Sequence, residues 1–94
     1  MLFADKIKEL REKKQMVQRQ FAAALEMDTP MYSKIERGDR RAKREQITII
    51  AQLLQTDENA LVTLWLADKI ISAIGNEKEF AEKALKVVQK DIVK

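Results

Sequence analysis

The sequence predicts an all-α protein of five or six helices, and three observations support this fold class. Apolar residues recur every three or four positions along most of the chain, which places them on one face of a helix. No segment shows the sustained alternation of apolar and polar residues that is typical of a strand. Only two glycines and one proline interrupt the 94 residues, so the helices meet few breakers.

Two amphipathic helices are predicted at the N-terminus. The first, over residues 2–14, would bury Phe3 and Ile7, while its lysines face solvent. The second, over residues 17–25, would bury Phe21, and the alanines beside that residue favour helix formation. Their apolar faces are therefore expected to share one core.

A third helix is predicted from the residues that begin and end it. Asp28 can accept hydrogen bonds from free amides at the start of the helix, and Pro30 is tolerated in a first turn. Gly38 can adopt the left-handed conformation that ends a helix. Two short helices joined by a tight turn are thus expected over the first forty residues.

A fourth helix, over residues 45–55, would bury a stripe that includes Ile47 and Ile50. Asp57 is the expected N-cap of a fifth helix over residues 58–74. Apolar side chains of that fifth helix point in nearly every direction, so one domain face cannot cover them all. We expect a second copy of the chain to cover the remainder, with an interface formed by Leu61, Leu64, Trp65 and Ile71.

A sixth helix is predicted after Gly75. Asn76 and Glu79 have the spacing of a capping box at its start. The apolar stripe from Phe80 to Ile92 needs a cover, and the self-association predicted for the fifth helix would supply one. Residues 57–94 are therefore interpreted as C-terminal helices for self-association, packed with the first part of the chain as one globular unit.

The composition argues against an enzyme. The chain has no cysteine and no histidine, which removes thiolate nucleophiles and the commonest general base and metal ligand. No cofactor and no small-molecule pocket are indicated by the pattern. The N-terminal segment lacks the apolar stretch of a signal peptide, and no run is long enough to span a bilayer. We therefore expect a cytoplasmic protein without membrane contact.

Positive charge is concentrated in the first part of the chain. Residues 1–55 carry twelve Lys and Arg against eight Asp and Glu, whereas residues 56–94 carry six against seven. The densest cluster follows the third helix and consists of Arg37, Arg40, Arg41, Lys43 and Arg44. Charges this close repel one another unless a polyanion neutralises them, so this segment suits a phosphate backbone.

Four ordered motifs resemble the lambda-repressor-like helix-turn-helix family of XRE or Cro type. They are Ile7-x-x-Leu10-Arg11, Gln18-x-x-Phe21-Ala22-x-x-Leu25, Met31-Tyr32-Ser33-Lys34-Ile35-Glu36-Arg37-Gly38 and Ile47-x-x-Ile50-Ala51-x-x-Leu54. The resemblance covers residues 1–56, which are interpreted as the DNA-binding domain. It implies a helical bundle with a C-terminal extension, and double-stranded DNA as the partner.

The resemblance also implies roles for individual residues. Base edges in the major groove would be read by Thr29, Pro30, Ser33 and Lys34. Phosphates would be contacted by Gln18, Arg37, Arg40, Arg41, Lys43 and Arg44. Arg11 and Glu36 match a pair that ties the first helix to the third, so their expected role is structural.

Three positions depart from the family pattern. Glu26 replaces the usual glycine of the turn between the second and third helices, so a left-handed backbone there would be strained. Pro30 replaces a polar base reader and brings neither donor nor acceptor. Val17 replaces a serine or threonine cap, which leaves the first amides of its helix dependent on water or a neighbour.

The sequence therefore predicts a DNA-binding transcriptional regulator that acts as a dimer on a roughly palindromic operator. A single recognition helix reads only a few base pairs, and a two-fold pair reads two successive major grooves. A protein-interaction module, either a scaffold or an antitoxin-like partner, is the alternative. The departures at Glu26 and Pro30, together with the apolar fifth helix, keep that alternative open.

Overall fold

The computed structural model describes residues 1–93, which form six α-helices joined by short loops. The helices are α1 (Leu2–Lys13), α2 (Gln18–Ala24), α3 (Thr29–Glu36), α4 (Arg44–Leu54), α5 (Glu58–Ile74) and α6 (Lys78–Ile92). The all-α prediction is confirmed, and each helix begins and ends within two residues of its expected bounds. Among the described residues, no helix is both long and apolar enough to cross a membrane.

One core joins the first four helices to the first part of α5. Its fully buried large side chains come from all five of these helices: Ile7, Phe21, Tyr32, Ile35, Ile47, Ile50, Leu54 and Leu61. Each of these apolar side chains contributes about 1.5–3 kcal/mol when it leaves water. Every buried residue lies at or before Asp68. We call residues 1–68 the N-terminal bundle.

Two of the three predicted caps form. Asp28 Oδ1 accepts from the backbone N–H of Met31 at 2.8 Å, and Asp57 Oδ1 accepts from that of Asn59 at 3.1 Å. The capping box predicted at Asn76 is wrong, because α6 begins one residue later. Glu77 is its N-cap residue, with no side-chain hydrogen bond to the cap.

A buried carboxylate on α5 holds the beginning of α1. Asp68 is 5% exposed, and its two oxygens accept from the backbone N–H groups of Leu2 and Phe3, both at 2.9 Å. These amides are among those that a helix start leaves without partners. The side chain therefore acts as a cap for a helix more than sixty residues away in the chain.

The last part of the chain is packed quite differently. We call residues 69–93 the C-terminal hairpin, because α5 ends there and α6 turns back after Gly75. None of its residues is buried, and Phe80 and Ile92 are 54% and 74% exposed. The prediction that residues 57–94 pack with the first part as one globular unit is therefore wrong for α6. That helix has no partner within the chain large enough to bury its stripe.

The predicted self-association residues on α5 also need correction. Leu61 and Trp65 are buried inside the N-terminal bundle, where they contact its core and offer no surface to a second copy. Leu64 is half-buried against the same core. Only Ile71 is exposed, and it lies beside Leu2 at the start of α1. A single chain covers these side chains because α1 and α4 both pack against α5.

Candidate DNA interface

The α2–turn–α3 unit has the arrangement of a helix-turn-helix. Phe21 of α2 stacks on Tyr32 of α3 with ring centroids 5.5 Å apart, which fixes how the two helices cross. The turn uses a left-handed residue, since Glu26 has a φ of +57°. The expected strain at Glu26 is therefore present. Met27 N–H donates to the Ala22 carbonyl at 3.0 Å and closes the end of α2.

The start of α2 is stabilised by a neighbour, as the missing cap at Val17 implies. Val17 contributes no side-chain acceptor, and its own backbone N–H donates to Gln20 Oε1 at 2.9 Å. This is the returning half of a capping box. One free amide of the helix start is thereby satisfied, although the usual serine or threonine is absent.

A polar network ties α1, α2 and α3 together beneath the recognition helix. Arg11 donates to both carboxylate oxygens of Glu36, at 2.8 and 3.0 Å, in the bidentate geometry that arginine favours. Gln18 Nε2 donates to Glu36 Oε1 at 3.0 Å. Burial opposes ionisation of Glu36, but these hydrogen bonds outweigh it and hold its pKa below the ordinary value. The structural role expected for Arg11 and Glu36 is confirmed.

This network changes the role available to Gln18. The side chain was expected to contact a DNA phosphate, yet its amide nitrogen faces inward to Glu36. An amide nitrogen carries two N–H groups, and Glu36 engages one of them. A phosphate contact by Gln18 stays a prediction only for its remaining N–H and for the position the side chain would keep while bonded to Glu36.

The four predicted base readers lie on the side of α3 away from the core. Tyr32, Ile35 and Glu36 face inward and are buried. Pro30 and Lys34 are exposed and Thr29 and Ser33 are half-buried, which leaves one row of side chains open to a groove. Lys34 is the charged donor in this row, and no ion pair engages it within residues 1–93.

The basic cluster after α3 divides into paired and unpaired charges. Arg37 lies 3.1 Å from the Asp39 carboxylate, and Arg44 lies 3.4 Å from that of Glu58. In the described part of the chain, the other three cations make no ion pair: Arg40, Arg41 and Lys43. All five members of the cluster are exposed to solvent. The three unpaired cations are therefore the ones most available to a polyanion.

The backbone of this basic loop is held in place by α5. Ala42 is buried, and its carbonyl accepts from the Trp65 indole Nε1–H at 2.7 Å. Arg40 N–H donates to the Lys34 carbonyl at 3.2 Å, so the loop is also bonded to the end of α3. The side chains on either side of Ala42 project from a fixed backbone, which lowers the entropy lost on contact with DNA.

Arg19 is a further candidate that the sequence patterns did not single out. It lies in the first turn of α2, is exposed, and makes no ion pair with any described residue. Its guanidinium suits bidentate contact with a phosphate. Position within the helix-turn-helix is the signal that would have found it, because one arginine away from the cluster does not stand out by charge density.

Comparison with known proteins agrees with this architecture. The family model described as "Helix-turn-helix domain" matches residues 2–64, which extends from the start of α1 into α5. The match passes the expected boundary at residue 56, in keeping with the packing of α5 against α1 and α4. No curated protein and no solved structure gives a match to the chain. The chain belongs to the helix-turn-helix domain family, as its resemblance to the lambda-repressor-like members indicated.

Proposed function

We propose that the protein is a sequence-specific transcriptional regulator that binds double-stranded DNA as a dimer on a roughly palindromic operator. The observation that carries this proposal is the exposed row on α3, with Lys34 free to donate and unpaired cations on the loop that follows. An α-helix fits the major groove, and basic side chains beside it neutralise phosphates. Helix-turn-helix domains bind DNA and are typically not enzymes.

The base-reading and phosphate-binding residues take different parts in this proposal. Lys34 would donate to guanine O6 or N7, and the methyl group of Thr29 would contact thymine. Ser33 and Pro30 would complete the row, with Pro30 supplying only an apolar ring surface. Phosphates on either side would be held by Arg37, Arg40, Arg41, Lys43 and Arg44, with Gln18 as a weaker contact.

Selection of binding sites from a random DNA pool at moderate salt tests the proposal. We expect a consensus with two-fold symmetry, whose half-sites are separated by one helical turn, about 34 Å. A consensus without symmetry would retain sequence-specific binding and reject the dimer. No enrichment at any salt concentration would reject specific DNA binding altogether.

Two single variants separate base reading from phosphate binding. Lys34→Ala should reduce discrimination between the consensus and a mutated site, by about 1–3 kcal/mol if the lysine makes a good base contact. Arg41→Ala should weaken binding to all sequences alike, and should reduce the slope of log K against log salt by about 0.9. Fluorescence anisotropy over a salt series measures both effects, and equal behaviour of the two variants would contradict the assigned roles.

Lys90→Ala is the matched control for the loss of one positive charge. This lysine is exposed on α6, which makes no substantial contact with α2 or α3. If the arginine of the loop acts through direct contact, the Lys90 variant should leave the salt dependence almost unchanged. A decrease as large as that of Arg41→Ala would indicate a general effect of net charge.

A protein-interaction module is the second candidate, and the exposed apolar stripe of α6 is the observation that favours it. A protein partner bound through that stripe would respond little to salt, because apolar burial is only weakly screened. It would also be insensitive to neutralisation of Arg40, Arg41 and Lys43. DNA binding that is steeply salt-dependent and lost in such a triple variant favours the regulator.

A further inference from the structure

An apolar groove of about 400 Å³ lies between the end of α5 and α6. Its walls are almost entirely aliphatic or aromatic and include Ile70, Ile74, Phe80, Ala84, Leu85 and Val88. No element of the N-terminal bundle lines this groove. The surface is therefore separate from the row on α3 that was assigned to DNA.

The apolar face of α6 is left uncovered within the single chain. Phe80, Leu85 and Val88 are 54%, 43% and 48% exposed, and no residue of α6 is buried. A 15-residue helix without tertiary contacts is marginal in water, because most helical stability in proteins comes from packing of the apolar face. The helix consequently needs a partner surface.

The charges of α6 indicate what that partner is. Residues 77–82 carry three glutamates and one lysine, whereas residues 83–93 carry three lysines and one aspartate. Two such helices in antiparallel orientation place each acidic half beside the basic half of the other. In parallel orientation, like charges would face each other along the whole length. The helix is thus complementary to a second copy of itself.

We propose that the groove is filled by α6 of a second copy, with the two helices antiparallel about a two-fold axis near Ala84 and Leu85. The contact is isologous, so Phe80 and Val88 of each copy enter the groove of the other. Two hairpins then form a four-helix arrangement with a common apolar centre. This inference rests on the proposed function only for the presence of two copies, and it involves no DNA contact.

Sedimentation equilibrium of the full chain without DNA tests the surface. We expect a monomer–dimer equilibrium whose dissociation constant rises at least about 100-fold in Leu85→Lys, since the charge would be buried twice at the axis. Circular dichroism and thermal unfolding should show a retained N-terminal bundle, because Leu85 contributes nothing to the buried core. A monomeric wild-type chain at about 100 μM would overturn the proposal and assign the groove to another partner.

Ile71→Lys is the matched control. Ile71 is 57% exposed on α5, but it lines the surface beside Leu2 and does not line the groove. The proposal expects the dissociation constant of this variant to stay within about threefold of the wild-type value. A dimer lost in Ile71→Lys and kept in Leu85→Lys would overturn the proposal in favour of the interface expected on α5.

The orientation is tested by cross-linking, since the chain has no cysteine of its own. Ala81 and Val88 are seven residues apart and symmetric about the proposed axis. Under oxidation, a mixture of Ala81→Cys and Val88→Cys should give mainly the mixed disulfide. Like residues would lie about 10 Å apart along the axis, beyond disulfide reach. Efficient cross-linking of each variant to itself, without the mixed product, would overturn the antiparallel arrangement.

These outcomes distinguish this inference from the proposed function. A dimer that forms through α6 but selects no DNA sequence would reject the regulator and retain the α6 contact. A palindromic consensus bound by a chain whose dimer survives Leu85→Lys would retain the regulator and reject the contact. The two measurements use different readouts, so neither failure conceals the other.

Discussion

The N-terminal bundle and the C-terminal hairpin are both amphipathic and helical, yet one is complete and the other is not. In the bundle, apolar faces from five helices meet, and the few buried polar groups are tied to partners, as Glu36 and Asp68 are. In the hairpin, α6 presents a comparable stripe to solvent. The difference shows that amphipathicity marks a face to be covered and does not reveal whether the cover lies within the chain.

Arg11→Ala should be the most damaging of the changes considered, because it leaves the Glu36 carboxylate buried without its cation. Removal of one member of a buried pair costs about 3–5 kcal/mol. Since Arg11 is slightly exposed, we expect the lower end, about 3 kcal/mol, from urea unfolding at pH 7. A loss below about 1 kcal/mol would show that the network contributes little, and would weaken the contrast between the two regions.

The same pair makes the bundle sensitive to acid. The folded-state pKa of Glu36 lies below the ordinary value of 4.5, so its contribution is fully present above that pH. The contribution is lost as pH falls through the folded-state pKa. The stability difference between wild type and Arg11→Ala should therefore narrow as urea unfolding is repeated from pH 7 to about pH 3. A constant difference would contradict ionised Glu36 as its origin.

Ile47→Ala and Val88→Ala compare the two regions directly. Ile47 is completely buried, and its truncation should cost the bundle about 2–5 kcal/mol. Val88 is half-exposed on α6, so its truncation should change monomer stability by less than about 0.5 kcal/mol. Unfolding of dilute protein, where the monomer dominates, gives both values. Similar losses would show that α6 belongs to the cooperative core.

Asp68→Ala probes the junction between the regions. The substitution removes both acceptors from the Leu2 and Phe3 amides at the start of α1. Unsatisfied buried donors cost about 1–3 kcal/mol, and we expect about 2 kcal/mol by thermal unfolding. Hydrogen exchange should locate the effect in the first turn of α1. Asp68→Asn keeps one acceptor and should lose less, whereas equal losses would point to packing as the cause.

Glu26→Gly should give the smallest effect and the opposite sign. The residue has a left-handed backbone, which glycine adopts without the steric cost of a Cβ. Greater freedom of glycine in the unfolded chain offsets part of the gain, so we expect stabilisation of up to about 1 kcal/mol by urea unfolding. A destabilised variant would indicate that Glu26 makes a favourable contact that outweighs its strain.

Local signals were sufficient for most of the fold. The N-cap residues Asp28 and Asp57 and the 3.6-residue periodicity fixed the helix bounds, and motif spacing identified the Arg11–Glu36 pair. Contacts between distant residues were missed, such as the Asp68 cap on α1, because no local pattern specifies them. The same limitation placed Trp65 at a dimer surface, although α1 and α4 cover α5 within one chain. For the DNA face, sequence located the row on α3 but not the inward turn of Gln18.

The hydrogen bond between Trp65 and the basic loop has an optical consequence. Trp65 is the single tryptophan of the chain, its indole N–H bonds to the Ala42 carbonyl, and the Lys69 ammonium lies 4.0 Å from its ring centroid. Indole emission depends on the polarity and hydrogen bonding around the ring. The intrinsic fluorescence of the protein is therefore a built-in reporter on the loop that carries Arg40, Arg41 and Lys43, and any ligand that displaces this loop would be seen without a label.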